Sequence, residues 1–223
     1  MLKFYFNGSP NPTKVALFLE EAGLAYEPIP VDTRKGDQFE PDYLKINPNG
    51  KVPAIVDGET TVFDSNAILL YLAEKHGKFL PDPSLRGELL SWLMFAATGV
   101  GPYCGQAVHF THFAVEKLPY AIDRYQFEAR RHFHLLDERL SHRRYTVGAT
   151  YTIVDMDVWG WARMVPFLFG EDGWASFPHL KRLHDEIDER PAAGRAKSLK
   201  DRFVFKPTVD AEARRHMFKH VVA

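Results

Sequence analysis

The chain has 223 residues, with 28 Lys and Arg against 29 Asp and Glu, and a single cysteine, Cys104. That length supports one large domain or two modest ones with ample core, and a net charge of -1 gives no pull toward nucleic acid or an anionic membrane surface. One cysteine excludes an internal disulfide, a Cys-X-X-Cys redox motif and a cysteine zinc cluster. No apolar run approaches the ~20 residues of a membrane span and nothing resembles a signal peptide, so a soluble, reducing, cytoplasmic setting is expected.

Leu2 to Phe6 reads as a compact apolar strand, followed by a turn through Asn7-Gly8-Ser9-Pro10-Asn11-Pro12. Val15, Phe18, Leu19 and Ala22 recur at helical spacing. Asn11 stands where an N-cap belongs, with Pro12 at the first helical position and Gly23 at the end. Glu27 to Val31 returns as a strand, so a right-handed βαβ unit is expected. A polar loop over 32–38 and a short helix around Tyr43 then lead to a hairpin. Lys51 to Val56 is its first strand, Asp57-Gly58 its turn and Thr60 to Phe63 its second strand. Pro53 stands at the entry to a strand, where a missing N–H needs an explanation. A cis Val52-Pro53 bond supplies one, and leaves the Val52 backbone to pair outside the sheet. Ser65 stands at the N-cap position of the next helix, which ends near His76. The order βαβαββα is a thioredoxin-like topology.

Residues 78–87 read as a linker, and from residue 88 the pattern is helical to the end. Leu89 to Phe113 is apolar and aromatic, interrupted by Gly99-Val100-Gly101-Pro102-Tyr103-Cys104-Gly105, which is expected to break or bend the helix. Pro119 starts a helix with Ile122, Tyr125, Ala129, Phe133, Leu136 and Leu140 inward. Thr152-Ile153-Val154-Asp155 is a capping box opening a buried helix with Trp159, Trp161 and Val165. Shorter helices are expected near His179–Asp188 and Pro191–Leu199. The basic tail from Lys200, with Asp210 to His220 helical, could cover a binding pocket or lie on the surface, and its charge favours solvated surface.

The chemistry concentrates at two helix starts. Asp64-Ser65 places a carboxylate and a hydroxyl beside unpaired N–H groups, which suits a zwitterion: the donors hold its carboxylate and Asp64 its ammonium. The first βα turn aims its dipole over Ser9 and Asn11, where a bound thiol would be acidified. Taken alone, Ser9 and Asn11 read equally as residues that shape a turn and cap a helix. The turn contains no nucleophile suited to the role, so the thiol must come from a ligand.

Asn47-Pro48-Asn49-Gly50-Lys51-Val52-Pro53 and Asp64-Ser65 resemble the glutathione-binding half of the glutathione transferases. Ser9-Pro10-Asn11 is similar to the Thr-Pro-Asn of the bacterial nu-class transferases, also described as disulfide-bond oxidoreductases, and of their fungal relatives. The likeness continues through Phe18-Leu19-Glu20-Glu21-Ala22, Lys35-Gly36-Asp37-Gln38-Phe39, Gly101-Pro102, Gly105-Gln106, His109-Phe110 and Pro119 to Gln126, and covers most of residues 2–195. Ser9 replaces the usual Thr, Pro12 the usual Gly, and Val154 the usual small residue of the capping box.

The resemblance implies a thioredoxin-like glutathione-binding domain over 1–77, a linker over 78–87, and an all-helical domain with a tail over 88–223. It implies Ser9 and Asn11 at the glutathione sulfur, the Val52 backbone beside cis-Pro53 on the cysteinyl part, Asp64 and Ser65 on the γ-glutamyl end, and Gln38 and Lys51 on the glycyl side. It also implies a homodimer in which Arg124 reaches the glutathione of the other subunit. Read from the residues, Arg124 pairs equally well with Glu128 one helical turn on. Two glutathiones, or one glutathione disulfide, are implied per site, with one thiolate attacking a small-molecule disulfide and the second resolving the mixed disulfide. The alternatives are a detoxifying transferase that conjugates glutathione to electrophiles, and a non-catalytic transferase-like interaction module. No metal is expected, because the pairs His109/His112, His132/His134 and His216/His220 lack a third ligand at useful spacing. Phe95, Tyr103, His109, Phe110, His112, Phe113 and Trp161 are expected around an acceptor pocket or a dimer seam, and Cys104 as a small core residue.

Overall fold

The structure, a computed structural model, describes residues 1–218. Strand β1 (Leu2–Phe6), helix α1 (Pro10–Ala22), strand β2 (Tyr26–Pro30), helix α2 (Pro41–Ile46), strands β3 (Ala54–Asp57) and β4 (Thr60–Phe63) and helix α3 (Ser65–His76) follow in the expected order. The rest is helical: α4 (Arg86–Phe95), α5 (Gly101–Val108), α6 (Pro119–Ser141), α7 (Ile153–Ala162), α8 (Val165–Phe169), α9 (Pro178–Asp188), α10 (Pro191–Ser198) and α11 (Ala211–Met217). By packing, residues 1–72 form one unit together with the segment from Pro191, and residues 73–190 form the other. From the sequence, residues 88–223 are expected to form one helical domain with its tail. Ala192, Ala193 and Ala196 explain the difference: these small buried residues let α10 lie close to the first unit, where Arg195 Nε donates to Glu20 Oε2 of α1 at 2.6 Å.

The sheet runs in the order β2-β1-β3-β4, with β2 parallel to β1 and the others antiparallel to their neighbours. Leu2, Phe4 and Phe6 alternate inward along β1, as a half-buried strand requires. Val15, Leu17, Phe18 and Leu19 of α1 are fully buried.

Two helix starts differ from the sequence expectation. Helix α1 begins at Pro10 with Ser9 in the cap position, not at Pro12 with Asn11 as cap. A proline tolerates the first turn at more than one place, so Pro-Asn-Pro leaves the start ambiguous. Helix α3 begins at Ser65, and the cap is Asp64, whose Oδ1 accepts from Asn66 N at 2.9 Å and Ala67 N at 3.1 Å.

In the second unit the glycine-rich run does not break the helix. The chain stays helical from α4 to α5 through a widened π turn over Ala96–Val100, and a second π turn over His109–Phe113 follows α5. Gly99 permits the close approach: a Cβ there would lie 2.4 Å from His132 Nε2. On α6, Ala129, Phe133, Leu136 and Leu140 are buried as expected, while Ile122 and Tyr125 are half-buried.

The capping box of α7 forms. Asp155 Oδ2 accepts from Thr152 N at 2.9 Å, Thr152 Oγ1 from Val154 N at 3.3 Å, and Asp155 Oδ1 from Thr146 N at 2.7 Å. Burial nevertheless pushes the Asp155 carboxyl up to about 6, with the Thr146 and Thr152 hydrogen bonds acting against that rise. An acid whose folded pKa lies above its unfolded value binds its proton more tightly in the folded state. The stability it contributes is therefore full below the unfolded pKa of about 4 and is lost as pH rises through about 6. Asp155→Asn is expected to lower the melting temperature overall, because its amide meets the Thr152 N–H donor to donor. It is also expected to flatten the fall in stability between pH 4 and 6.5. Parallel thermal unfolding of both proteins across that range checks this, and equal slopes would refute it.

Candidate active site

The strand register gathers the candidate residues at one edge of the sheet. Phe6 ends β1 opposite Pro30 of β2, and Tyr5 faces Ala54 at the start of β3. Ala54 faces Phe63 at the end of β4. The Asn7–Ser9 turn, the 32–38 loop, Val52-Pro53 and Asp64-Ser65 therefore all leave the sheet at the same side. Residues far apart in sequence meet there because three strands end, and one begins, at that edge.

In the first turn, Asn7 Oδ1 accepts from Ser9 N at 3.0 Å and from Ser9 Oγ at 2.7 Å. Thr13 Oγ1 donates to Ser9 O at 2.8 Å, which fixes the start of α1. Pro10 and Pro12 carry no N–H, so Asn11 holds the only backbone donor among the first three helical residues. The Asn11 amide and side chain thus carry most of the donor capacity of this turn, and Ser9 spends its hydroxyl proton on Asn7. Tyr5 sits inside β1 with its ring 5.6 Å from that of Tyr43. It packs, half-buried, against the cluster of Val31, Tyr43 and Ala54.

The 47–53 loop is held from within. Lys51 O accepts from Tyr43 Oη and from Asn47 Nδ2, each at 2.6 Å, and Asn47 Oδ1 accepts from Asn49 N at 3.0 Å. Gly50 has φ +62°, and a Cβ there would meet Phe39 at 2.9 Å, so glycine is required on both counts. The Val52-Pro53 peptide is cis, and Val52 lies outside the register of β3, which begins at Ala54. Lys51 is exposed.

Asp64 has φ +70°, in the left-handed region that only Gly, Asn and Asp visit readily. The cap engages Oδ1 alone. Ser65 is buried at the first position of α3. Behind it lies a residue the sequence reading passed over: Lys14, 2 % exposed, donates from Nζ to Asn66 Oδ1 at 2.5 Å. The Lys14 side chain, on the buried face of α1, thus ties α1, capped at Ser9, to α3, which begins at Ser65. A lysine among Val15, Phe18 and Leu19 was the available signal, since a buried ammonium needs polar partners.

Gln38 also differs from a freely presented contact. It is 3 % exposed, and its Nε2 donates to Thr33 O at 3.3 Å and to His216 O of α11 at 3.0 Å.

In the second unit, Arg124 of α6 donates from Nη1 to Glu128 Oε1 at 2.9 Å, and Arg131 Nε donates to Glu128 Oε2 at 2.9 Å. The Arg131 bond, aided by the charge of Arg124, holds the Glu128 carboxyl below its usual range. His132 lies between Phe95 and Tyr103, with ring centroids 5.1 and 4.9 Å away, and burial pushes its pKa below the usual imidazole value. Phe110 stacks on Tyr125 at 5.3 Å, and His112 on Phe167 at 4.1 Å. Cys104 is fully buried in α5, and burial pushes its thiol far up, away from the thiolate form. Among the described residues no three His, Cys, Asp or Glu side chains are grouped to hold a metal, and no helix is long and apolar enough to cross a membrane. His220 lies outside the described residues.

The family model for the glutathione S-transferase N-terminal domain matches residues 1–74, and that for the C-terminal domain matches residues 96–191. The disulfide-bond oxidoreductase YfcG of Escherichia coli is 44% identical over 204 residues, covering 88% of this chain and 94% of that protein. YghU of the same organism, also a disulfide-bond oxidoreductase, is 38% identical over 213 residues, covering 88% of this chain and 74% of its own. A glutathione transferase from Pseudomonas putida, solved with one glutathione disulfide per subunit, superposes with TM-score 0.84 at 35% identity, covering 89% of this chain and 91% of that one. One from Burkholderia graminis, solved with two glutathione molecules per subunit, does so with TM-score 0.84 at 35% identity, covering 91% and 89%.

Proposed function

We propose, from the premise that this chain belongs to the glutathione transferase family, that it is a glutathione-dependent disulfide reductase. The observation that carries this reading is the register, which brings Ser9, Asn11, Val52, Asp64 and Ser65 to one sheet edge, while the chain's own thiol, Cys104, is buried in a helix of the other unit. A reductase built this way must use the thiol of its ligand.

Glutathione is placed with its γ-glutamyl ammonium on Asp64 and its α-carboxylate at Ser65 and the start of α3. The cysteinyl amide pairs with the Val52 backbone, and the sulfur lies at Asn11 and Ser9. Lys51 and Gln38 serve the glycyl end. Donors and the α1 dipole favour the thiolate. That thiolate attacks one sulfur of a small disulfide: a new S–S bond forms, the old one breaks, and the departing thiolate takes a proton from water. A second glutathione thiolate attacks the mixed disulfide, giving glutathione disulfide and the second reduced thiol. The relatives solved with one glutathione disulfide or two glutathiones support room for both. A homodimer completes the site, with Arg124, oriented by Glu128, turned toward a glutathione carboxylate on the other subunit. A reducing cytoplasm would keep glutathione in the required form.

The test is steady-state reduction of 2-hydroxyethyl disulfide by glutathione, beside conjugation of a chloro-dinitrobenzene, for the parent and Cys104→Ala. Disulfide reduction well above conjugation, and unchanged within about twofold in the variant, is expected, because a buried protonated thiol is inert. Loss of turnover in a variant that remains folded would make Cys104 the nucleophile. Conjugation without disulfide turnover would make the chain a detoxifying transferase, and silence in both assays an interaction module.

A further inference from the structure

We infer that the C-terminal segment from Lys206 to Met217 is a displaceable strap that closes over Gln38 and competes with glutathione for it. The inference rests on the proposed role of Gln38 at the glycyl end.

The segment is built onto the first unit by specific bonds. Phe203 and Phe205 set its origin, with ring centroids 5.5 and 6.1 Å from that of Phe6. Lys206 N donates to Asp32 Oδ2 at 2.6 Å, and Arg34 Nη1 donates to Lys206 O at 2.7 Å and Pro207 O at 2.8 Å. Asp210 caps α11 by accepting from Ala213 N at 2.8 Å, and Lys206 Nζ reaches Asp210 at 3.0 Å and Glu212 at 2.6 Å. Ala213 is fully buried. The His216 ring lies against Gly36, where a Cβ would come within 2.7 Å of Nδ1. The tail is thus docked on the first unit through these contacts, while Lys200, Arg202 and Arg215 stay exposed as expected.

The strap's last contact is the informative one. His216 O takes a hydrogen from Gln38 Nε2 and Thr33 O takes the other. Both donors of the Gln38 amide are thus spent, and the side chain is shut from solvent. Its Oε1 is buried with no partner among the described residues. The closed state satisfies the donors and strands the acceptor, and an orphaned buried acceptor weakens the state that creates it. Opening at His216 would release one donor and expose the acceptor together, which suits the N–H and C=O of a peptide such as the glycyl end of glutathione. A site closed for part of the time binds with an affinity reduced by the open fraction.

Two variants separate the strap from the site. A chain ending after Phe205 keeps the packing on Phe6 and removes the strap, and Arg34→Met removes two anchors while keeping the length of the stem. Glutathione binding is measured by calorimetry, and amide exchange at Lys206 and over Ala213–Met217 is followed with and without saturating glutathione. The expected results are a glutathione Kd roughly three- to tenfold lower in the truncated chain, a smaller fall in Arg34→Met, and faster exchange over the strap in the parent when glutathione is added. An unchanged or higher Kd on truncation, or exchange that ignores saturating glutathione, would overturn the strap while leaving the site intact. Binding by neither protein would overturn the glutathione reading and the strap with it.

Discussion

Asn11→Ala is expected to lower the turnover number for reduction of 2-hydroxyethyl disulfide by about a hundredfold, the usual cost of removing one donor aimed at developing or resident negative charge. The expectation follows from the two prolines. Pro10 and Pro12 strip the first turn of α1 of two N–H groups, so the turn has little capacity to replace the Asn11 side chain. Ser9→Ala is expected to cost no more than about tenfold, because its hydroxyl proton goes to Asn7 Oδ1 at 2.7 Å and must be redirected before it can serve a thiolate. Steady-state kinetics at saturating glutathione rank the two variants. A larger loss for Ser9→Ala would put the hydroxyl, rather than the amide, at the sulfur.

The second large effect is expected at Asp64, where a backbone role and a ligand role share one side chain. Asp64→Ala removes the α3 cap, worth about 0.5–2 kcal/mol, and forces alanine into a left-handed conformation costing roughly 1–2 kcal/mol. Asp64→Asn separates the roles. Asparagine caps as well as aspartate and tolerates the same backbone, so the melting temperature is expected to stay within a few degrees of the parent. The charge that would hold the γ-glutamyl ammonium is gone, and the Kd for glutathione is expected to rise roughly 10- to 100-fold, the worth of a charge-assisted hydrogen bond. Calorimetry beside thermal unfolding reads both. Undiminished binding by the stable Asn variant would leave Asp64 a cap and nothing more.

What could be read from the sequence was whatever depends on local backbone chemistry. Asp57-Gly58 marked its hairpin, Thr152 to Asp155 its capping box, and Pro53 its strand entry, because each pattern matches a local backbone conformation that those residue types favour. The caps of α1 and α3 shifted because several cap-competent residues stand together: Ser9 and Asn11 in one case, Asp64 and Ser65 in the other. Only tertiary packing chooses between them. Gly99 to Gly105 read as a break or bend in the helix, and the chain instead runs on through a widened π turn, with Gly99 serving contact with His132, a partner more than thirty residues away that local sequence does not reveal. Nothing in the sequence marks Lys14 or Gln38 as buried, because their partners are an asparagine on another helix and a carbonyl of the C-terminal segment. Backbone carbonyls carry no sequence signature, so the docking of α11 through Arg34, Asp32 and Gln38 lay beyond composition, which described the tail only as basic and polar.

The ionisation of bound glutathione tests the account most directly. Thiolate absorbance near 240 nm, followed against pH for the protein with glutathione and corrected for the protein alone, gives the pKa of the bound thiol. The site described here predicts a value at least one unit below that of a free thiol, about 8.5, and a return toward it in Asn11→Ala. A bound thiol that titrates like free glutathione in the parent would contradict the account, since the turn at Ser9 and Asn11 would then hold the sulfur without activating it.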